Sequence, residues 1–305
     1  MYIGGCVVED ILRPIYRERA SQVNTLGVLL IEKNNNSISF TDTFDAILLI
    51  VVKEAEQPVF IKHYTYQDKK AAMHIVTESQ INEWLLLGSN RKLIERLVMG
   101  KILFDRNEFL NNLKNKLQDF PIDDRKIKIG LEFAKLIRRY MDGRTFFDNN
   151  QFLDAFNHIV HSLHHLGRLA LVEKGFHPEI TVWKQVKQIE PEVFKLYNEL
   201  VNSEEALEKR LELLFLASDF LIHSRIEIGT SHLFEVLKTK DSWTFNDVLS
   251  HPSLKLYAVD LEVLFEYLIE KHFIEVVNVD TKGQAIYHRN YKLAEKLLKK
   301  TIDQY

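Results

Sequence analysis

Cys6 is the only cysteine in this chain of 305 residues, so neither an internal disulfide nor a cysteine-built zinc site is open to it. No uncharged apolar run approaches the roughly 18 residues of a membrane span. The longest candidate, Ala46 to Val52, is strand length and stops at Lys53. Before the short apolar stretch Cys6-Val7-Val8 there is no basic region, and Glu9-Asp10 follows at once, the wrong order for a secretory signal. The net charge is only −3, which gives no global attraction to nucleic acid or anionic lipid, so any such binding must be local. Repeats and low-complexity segments are also missing. These absences lead to the expectation of a cytoplasmic protein with no membrane partner.

What is present is ordinary globular composition, 46% hydrophobic and 27% charged, in a chain longer than one core usually serves, so two or three domains are expected. Residues 9–22 read as a short amphipathic helix interrupted early by Pro14. Leu26 to Ile31 reads as a buried strand, Asn34-Asn35-Asn36 as a turn, and Ala46 to Val52 as a central strand, being apolar throughout and rich in β-branched residues. Val59 to Tyr66 and Ala71 to Val76 form an expected hairpin around Gln67 to Lys70. Thr77-x-x-Gln80 matches a capping box opening a helix, and Lys101 to Asp105 reads as a last short strand. Helical periodicity then holds near 107–118, 123–141, 148–174, 179–188, 191–200 and 203–224, with Pro121, Gly143, Gly175, Pro178 and Pro191 read as breakers between segments. After Gly229-Thr230, helices at 231–239, 244–250 and 257–272 and a hairpin around Asp280 to Gly283 make a winged-helix pattern. A lysine-bearing helix is expected from about 291.

The order strand, acid-headed strand, hairpin, helix, short strand is that of the nucleotidyltransferase superfamily core. Leu26-Gly27-Val28, Phe44-Asp45-Ala46-Ile47-Leu48-Leu49, Glu83-Trp84-Leu85-Leu86-Leu87-Gly88-Ser89-Asn90 and Gly100-Lys101-Ile102-Leu103-Phe104-Asp105-Arg106 resemble the YgxA-type nucleotidyltransferase-like family along the whole chain. The resemblance implies an α+β multidomain fold: a nucleotidyltransferase-like mixed sheet with helices at 1–106, a helical, substrate-binding domain at 107–228 and a winged helix at 229–305.

It also implies a chemistry in which a small glycine turn approaches a nucleoside triphosphate and three carboxylates hold Mg²⁺ during nucleotidyl transfer. Gly27 matches the glycine, although Val28 follows where a small or hydroxyl residue belongs. Asp45 matches the first metal acid, which puts Ile47 at the second; shifting the alignment makes Asp45 the second and puts Thr43 at the first, with Asp42 on the wrong strand parity to join it. His74 falls at the third, and imidazole is a poor ligand for a hard cation. Asp42 and Glu32 are the substitutes within reach. The expectation is therefore a degenerate site in a nucleotide-binding or regulatory protein. The alternative is an active transferase using Mg²⁺ and a nucleoside triphosphate through Asp45.

On the helix 151–174, Asp154, His158, His161, His165 and Arg168 recur at helical spacing as one polar stripe. The three histidines make a weak zinc pattern, since such spacings arise by chance wherever polar residues cluster, and a polar helix contact or subunit interface is the plainer reading. His164 to Gly175, with Glu179, Trp183 and Lys187, is similar to the helical domain of aminoglycoside-type nucleotidyltransferases. That resemblance implies a homodimer and a stripe facing Asp45 across a cleft. His161, His165 and Arg168 would then bind substrate, with Arg168 contacting phosphate, and Glu173 would act as general base, while surface salt bridges are the bland alternative for Arg168 and Glu173. In the winged helix, segment 257–272 carries Asp260, Glu262, Glu266 and Glu270, and residues 231–305 hold 10 Lys and Arg against 11 Asp and Glu. A DNA reader is basic, so a protein partner is expected. A winged-helix nucleic-acid regulator stays open as a second alternative only through the local strip Lys282, Arg289, Lys292, Lys296, Lys299 and Lys300.

Overall fold

The computed structural model describes residues 8–33, 41–118, 120 and 122–294. It divides by packing into Met1–Pro121 and Ile122–Tyr305.

In the first unit, α1 (Val8–Ser21) leads into β1 (Thr25–Glu32), β2 (Ala46–Val52), β3 (Val59–Tyr66), β4 (Lys69–Thr77), α2 (Glu78–Leu87), α3 (Arg91–Met99), β5 (Lys101–Asp105) and α4 (Phe109–Gln118). The strands lie in the order β3-β4-β2-β1-β5. Only β2 and β4 run parallel; the other pairs are antiparallel. Every residue of β2 is buried because both faces are covered, which is why its sequence does not alternate. Ile47, Leu49 and Val51 join Ile81, Leu93, Leu97 and Leu113 under α2, α3 and α4. Leu48, Ile50 and Val52 face Ile15 and Tyr16 of α1 on the other side.

Three local readings change. Pro14 does not interrupt α1: both it and Asp10, whose carbonyl loses a helical donor, are exposed to water that can replace the bond. The capping box is half formed. Thr77 Oγ1 accepts from Gln80 N at 3.3 Å, but the Gln80 amide donates to Glu83 and Thr77 N donates to Pro58 O. The helical stretch also breaks at Gly88, whose φ of 64° closes α2. The turn expected at Asn34-Asn35-Asn36 lies outside the described residues.

In the second unit follow α5 (Ile122–Asp148), α6 (Phe152–Glu173), α7 (Val182–Ile189), α8 (Pro191–Asn202), α9 (Leu207–His223), α10 (Ile226–Gly229), α11 (Ser231–Leu237), β6 (Trp243–Thr244), α12 (Phe245–Ser250), α13 (Asp260–Glu270), β7 (Ile274–Asp280) and β8 (Tyr287–Leu293). α5 and α6 pack along each other. Gly143 is not a breaker but lies inside α5; a Cβ there would come within 3.2 Å of His158 Cβ and 3.6 Å of Ala155 O, so its absence lets the two helices close. α10, α11 and α13 also pack on α5, so the Gly229-Thr230 junction is not a boundary between separate packing units. α4 packs on β1 and β5 in the first unit, and the packing division falls at Pro121/Ile122 rather than at 106/107.

The last three strands form a sheet in the order β6-β8-β7. β8 runs through Leu293, where a helix is expected from the sequence. Tyr291 packs edge-on against Phe245 and Phe265, and pairing with Val276 holds it in the sheet. Residues from 295 onward, which carry the rest of that expected helix, lie outside the described residues.

Candidate functional site

The head of β2 is where the sequence places metal chemistry. Asp45 stands just before that strand, and its backbone N donates to Lys70 O at 2.8 Å while its Oδ2 accepts from Lys70 N at 2.9 Å. Lys33 N donates to Asp45 O at 2.8 Å. Asp45 thus ties the end of β1 to the starts of β2 and β4. Asp42, in the left-handed region with φ 55°, accepts from Lys92 Nζ and from Arg96 Nη2, the latter at 3.0 Å. Burial opposes the charge on Asp42, but the two cations outweigh it and hold the carboxyl below its ordinary value.

His74 lies on the same cluster. Burial, with Arg96 and His63 adding to it and Asp42 opposing, pushes its imidazole down to about 4, so it is neutral near pH 7. The β2–β4 register sets Ile47 against Ala72 and Leu49 against His74, so the β4 position beside Ile47 is apolar and His74 is one alternation further along. Glu32 pairs with Ala46 and by alternation belongs to the α1 face, away from Asp45.

A magnesium ion needs several oxygen ligands held close together. Here one Asp45 oxygen already receives a backbone N–H, Asp42 is held by two side-chain cations, and Ile47 and a neutral His74 fill the positions where further oxygens would stand. These residues do not fit the triphosphate-metal chemistry of the superfamily.

Gly27 is not beside Asp45. It pairs with Val51 and Asp105 at the far end of β1, whereas Asp45 precedes the Ala46–Glu32 pair. A Cβ on Gly27 would lie 2.4 Å from the Leu110 side chain, so this glycine seats α4 on the sheet. The sequence suggests a phosphate turn because it displays the glycine but not the helix above it.

A second cluster lies between α5 and α6. His165 Nδ1 and Glu132 Oε2 are 2.7 Å apart, with the Glu132 side chain 4% exposed. Burial works against the Glu132 charge, but the His165 hydrogen bond and charge, with Lys135 and Arg168, bring its carboxyl down to about 2. One turn earlier, Lys128 is buried; that burial pushes its ammonium down to about 8, with Glu132 opposing and Lys135 and Arg168 adding. His161 is also shifted down, by burial and then by Arg139, His165, His158 and Arg168. His177 is pushed to about 4 by burial and Lys128.

The structure therefore brings His161, His165 and Arg168 together, and adds Glu132, Lys128 and Lys135, which sequence reading misses. Their signal is an i, i+4 Lys–Glu pair set one residue off the Ile129 and Phe133 core positions, a spacing that normally marks a solvated face. Several cations thus gather around one buried acid.

Glu173 keeps different company at the end of α6. Arg225 Nε lies 3.2 Å from its Oε2, and Arg225 Nη2 lies 3.7 Å from Glu190. Burial raises the Glu173 carboxyl, with Arg225 opposing, and its Oε1 is buried without a hydrogen-bond partner. This triad joins the ends of α6, α7 and α9. His158 Nδ1 lies 3.6 Å from Asp142 instead of joining a histidine metal set, and among the described residues no group of three or more His, Cys, Asp or Glu is placed to hold a metal ion.

Comparison with known proteins fits this layout. A nucleotidyltransferase-like family model matches residues 8–125, a YgxA-like substrate binding domain matches 126–225 and a helix-turn-helix domain matches 231–293. The uncharacterized protein YgxA of Bacillus subtilis (strain 168) is 57% identical over 284 residues, spanning 93% of this chain and 97% of its own. The chain belongs to the YgxA family. A crystal structure of a nucleotidyltransferase-like protein from Exiguobacterium sibiricum 255-15 has the same fold, with a TM-score of 0.80 and 36% identity over 94% of this chain and 99% of that one.

Within this YgxA-family chain, the helix-turn-helix module presents an acidic third helix. Asp260 of α13 accepts from Arg138 Nε of α5 at 2.5 Å, and Glu266 lies 3.0 Å from Arg289 Nη1. Lys292 is engaged by Glu275 at 2.9 Å. Two cations of the expected basic strip are thus matched by acids, Lys282 stands in the wing, and Lys296, Lys299 and Lys300 lie outside the described residues. No helix among the described residues is long and apolar enough to cross a membrane.

Proposed function

We propose that this protein is a cytoplasmic nucleotide-binding or regulatory protein built on a nucleotidyltransferase scaffold whose metal-dependent transfer chemistry is silent. The observation that carries this reading is the Asp42–Lys92–Arg96 network at the head of β2. There, side-chain cations already neutralise the acid that a metal would need, and Asp45 serves the backbone of Lys70. Lys135, His161, His165 and Arg168, none of them fully buried, support recognition of a nucleotide phosphate by the helical module. Glu173, tied to Arg225, serves as a positioning acid for α6. The acidic α13 supports a protein partner for the helix-turn-helix module, and a homodimer accompanies this assignment.

The test is isothermal titration with ATP, GTP, CTP and UTP, each with and without Mg²⁺, on wild type, Asp45→Ala and Arg168→Ala. The expected result is binding that does not depend on metal, persists in Asp45→Ala and weakens about tenfold or more in Arg168→Ala, the loss of one charge-assisted hydrogen bond. Metal-dependent binding abolished by Asp45→Ala would instead establish the active Mg²⁺-dependent transferase. Failure of every triphosphate to bind would remove nucleotide recognition and leave the protein partner as the function. Light scattering of the purified chain tests the dimer.

A further inference from the structure

At the end of the sheet away from Asp45, α2 and α4 diverge over the start of β1 and leave a groove of about 710 Å³. This volume lies inside the range of roughly 300–1,000 Å³ typical of small-molecule sites. Helical periodicity explains the walls. Ile81 and Asn82 share one face of α2, and Phe109, Asn112, Leu113 and Lys116 share one face of α4, with Leu26 of β1 between them. The floor is apolar and the rim is amide.

Four asparagines line this groove: Asn82, Asn107, Asn112 and Asn115. All four are exposed, and among the described residues none makes a side-chain hydrogen bond. Each amide carries both donors and an acceptor, so the rim matches a ligand that offers both along its edge. Charge is nearly balanced. The Arg106 guanidinium is committed to backbone carbonyls, donating to Thr25 O at 2.7 Å, Gln22 O at 3.1 Å and Ala20 O at 3.3 Å. Glu78 and Lys116 remain, one of each sign. A polyanion finds little here, unlike at the α5–α6 cluster.

The lip of the groove is strained. Asn107 and Glu108 both sit in the left-handed region, at φ 52° and 58°, which costs a non-glycine residue on the order of 1–2 kcal/mol. The conformation is locked from both sides. Asp105 accepts from Leu110 N at 2.8 Å, Asn111 N at 3.2 Å and Asn111 Nδ2 at 2.9 Å, while Arg106 holds the other flank. The left-handed turn brings Asn107 to the groove, where a relaxed helical start would not need it.

We propose that this groove binds an uncharged heterocycle of the nucleobase or nucleoside class. The flat apolar body would lie over Leu26, Ile81 and Leu113 beside Phe109, and the asparagine amides would read its donor and acceptor edge, a pairing for which asparagine has the right bidentate geometry. The groove is distinct from the α5–α6 cluster proposed to take phosphate, lying in the first unit and differing in charge.

The experiment is ligand-observed NMR and isothermal titration of the full chain with adenosine, guanosine, cytidine and uridine. It compares wild type, Asn82→Ala/Asn112→Ala, Asn112→Trp and Arg168→Ala. The asparagines are exposed and make no side-chain hydrogen bond among the described residues, so both groove variants are expected to keep the wild-type circular dichroism and melting temperature. At least one nucleoside is expected to bind, about tenfold more weakly when two amides are removed. The tryptophan, which fills the groove, should block binding, and Arg168→Ala should leave it unchanged. Absence of nucleoside binding at millimolar concentration, binding untouched by Asn112→Trp, or binding lost in Arg168→Ala would each overturn the assignment.

Discussion

Replacing Glu132 by glutamine keeps the shape of the side chain and removes its charge from the centre of the α5–α6 cluster. In the native protein that carboxyl sits at about 2 against an ordinary 4.5, and it is 4% exposed, so solvent screening takes little from the effect. A shift of this size corresponds to about 3 kcal/mol. The sign follows from the direction. The unfolded chain takes up the proton first, so this stabilisation is fully present above pH 4.5 and is lost as the pH falls from there towards 2. The substitution would also withdraw the acid that opposes the downward shift of buried Lys128, and removing one member of a buried charged pair costs about 3–5 kcal/mol by itself. Calorimetry of the full chain at pH 7 should therefore show the transition of the Ile122–Tyr305 unit destabilised by about 3 kcal/mol in Glu132→Gln, or roughly 6–12 °C. At pH 3 the gap should shrink to about 1 kcal/mol. A gap below about 1 kcal/mol at pH 7, or one that does not narrow on acidification, would refute the reading of Glu132 as the charge that organises this cluster.

Gly27→Ala should destabilise the first unit by about 1–3 kcal/mol through overpacking against Leu110, measured by urea unfolding. Leu110→Ala on the same chain should recover some of it, so that the double variant is more stable than the summed singles require. Gly27→Ala should leave triphosphate affinity as it is, and a selective loss of binding without loss of stability would return Gly27 to a phosphate role. Arg96→Met removes both a downward influence on His74 and a partner of Asp42. The NMR titration midpoint of His74 should rise from about 4 and the Asp42 carboxyl should move up towards its ordinary range, whereas an unmoved His74 would mean that Arg96 does not act at the strand head.

Strand identity is readable wherever burial on both faces leaves a compositional mark. Ala46 to Val52 can be nothing but a central strand, and β1, β3, β4 and β5 follow from runs bounded by turn residues. The helices of the second unit are legible through periodicity, down to the approximate ends of α6 and α8. What does not show is tertiary. Gly143 reads as a breaker until α6 is laid against it, and Tyr291 to Leu293 read as helix until Phe245 and Phe265 claim the tyrosine. At the site, His161, His165 and Arg168 stand out because polar residues on a mostly apolar helix are conspicuous. Lys128 and Glu132 do not, since an i, i+4 ion pair looks the same on the surface as in the interior. Gly27 pairs with Val51, six positions along the strand from Asp45, and nothing in the linear order says that they lie at opposite ends of the sheet.

Asp45 has a structural task at the strand head. The Asp45 carboxylate accepts the Lys70 N–H while its own N–H serves the Lys70 carbonyl, and this two-way link sets where β4 begins to pair with β2, from Ala46 and Ala71 onward. In a parallel pair whose strands are buried on both faces, a one-residue slip would turn Ile47 and Leu49 out of their layer and into the α1 face. An Asp at this position therefore serves the sheet itself, whether or not a metal ever sits beside it. The neighbouring pair Ile47 and Ala72 carries side chains that pack in the core. Asp45→Ala separates the two roles in one variant. If the side chain is a register clamp, urea unfolding of the first unit shifts by about 0.5–1.5 kcal/mol while triphosphate binding and its metal dependence stay as in wild type. If it is a metal ligand, the binding changes and the stability in the absence of ligand does not.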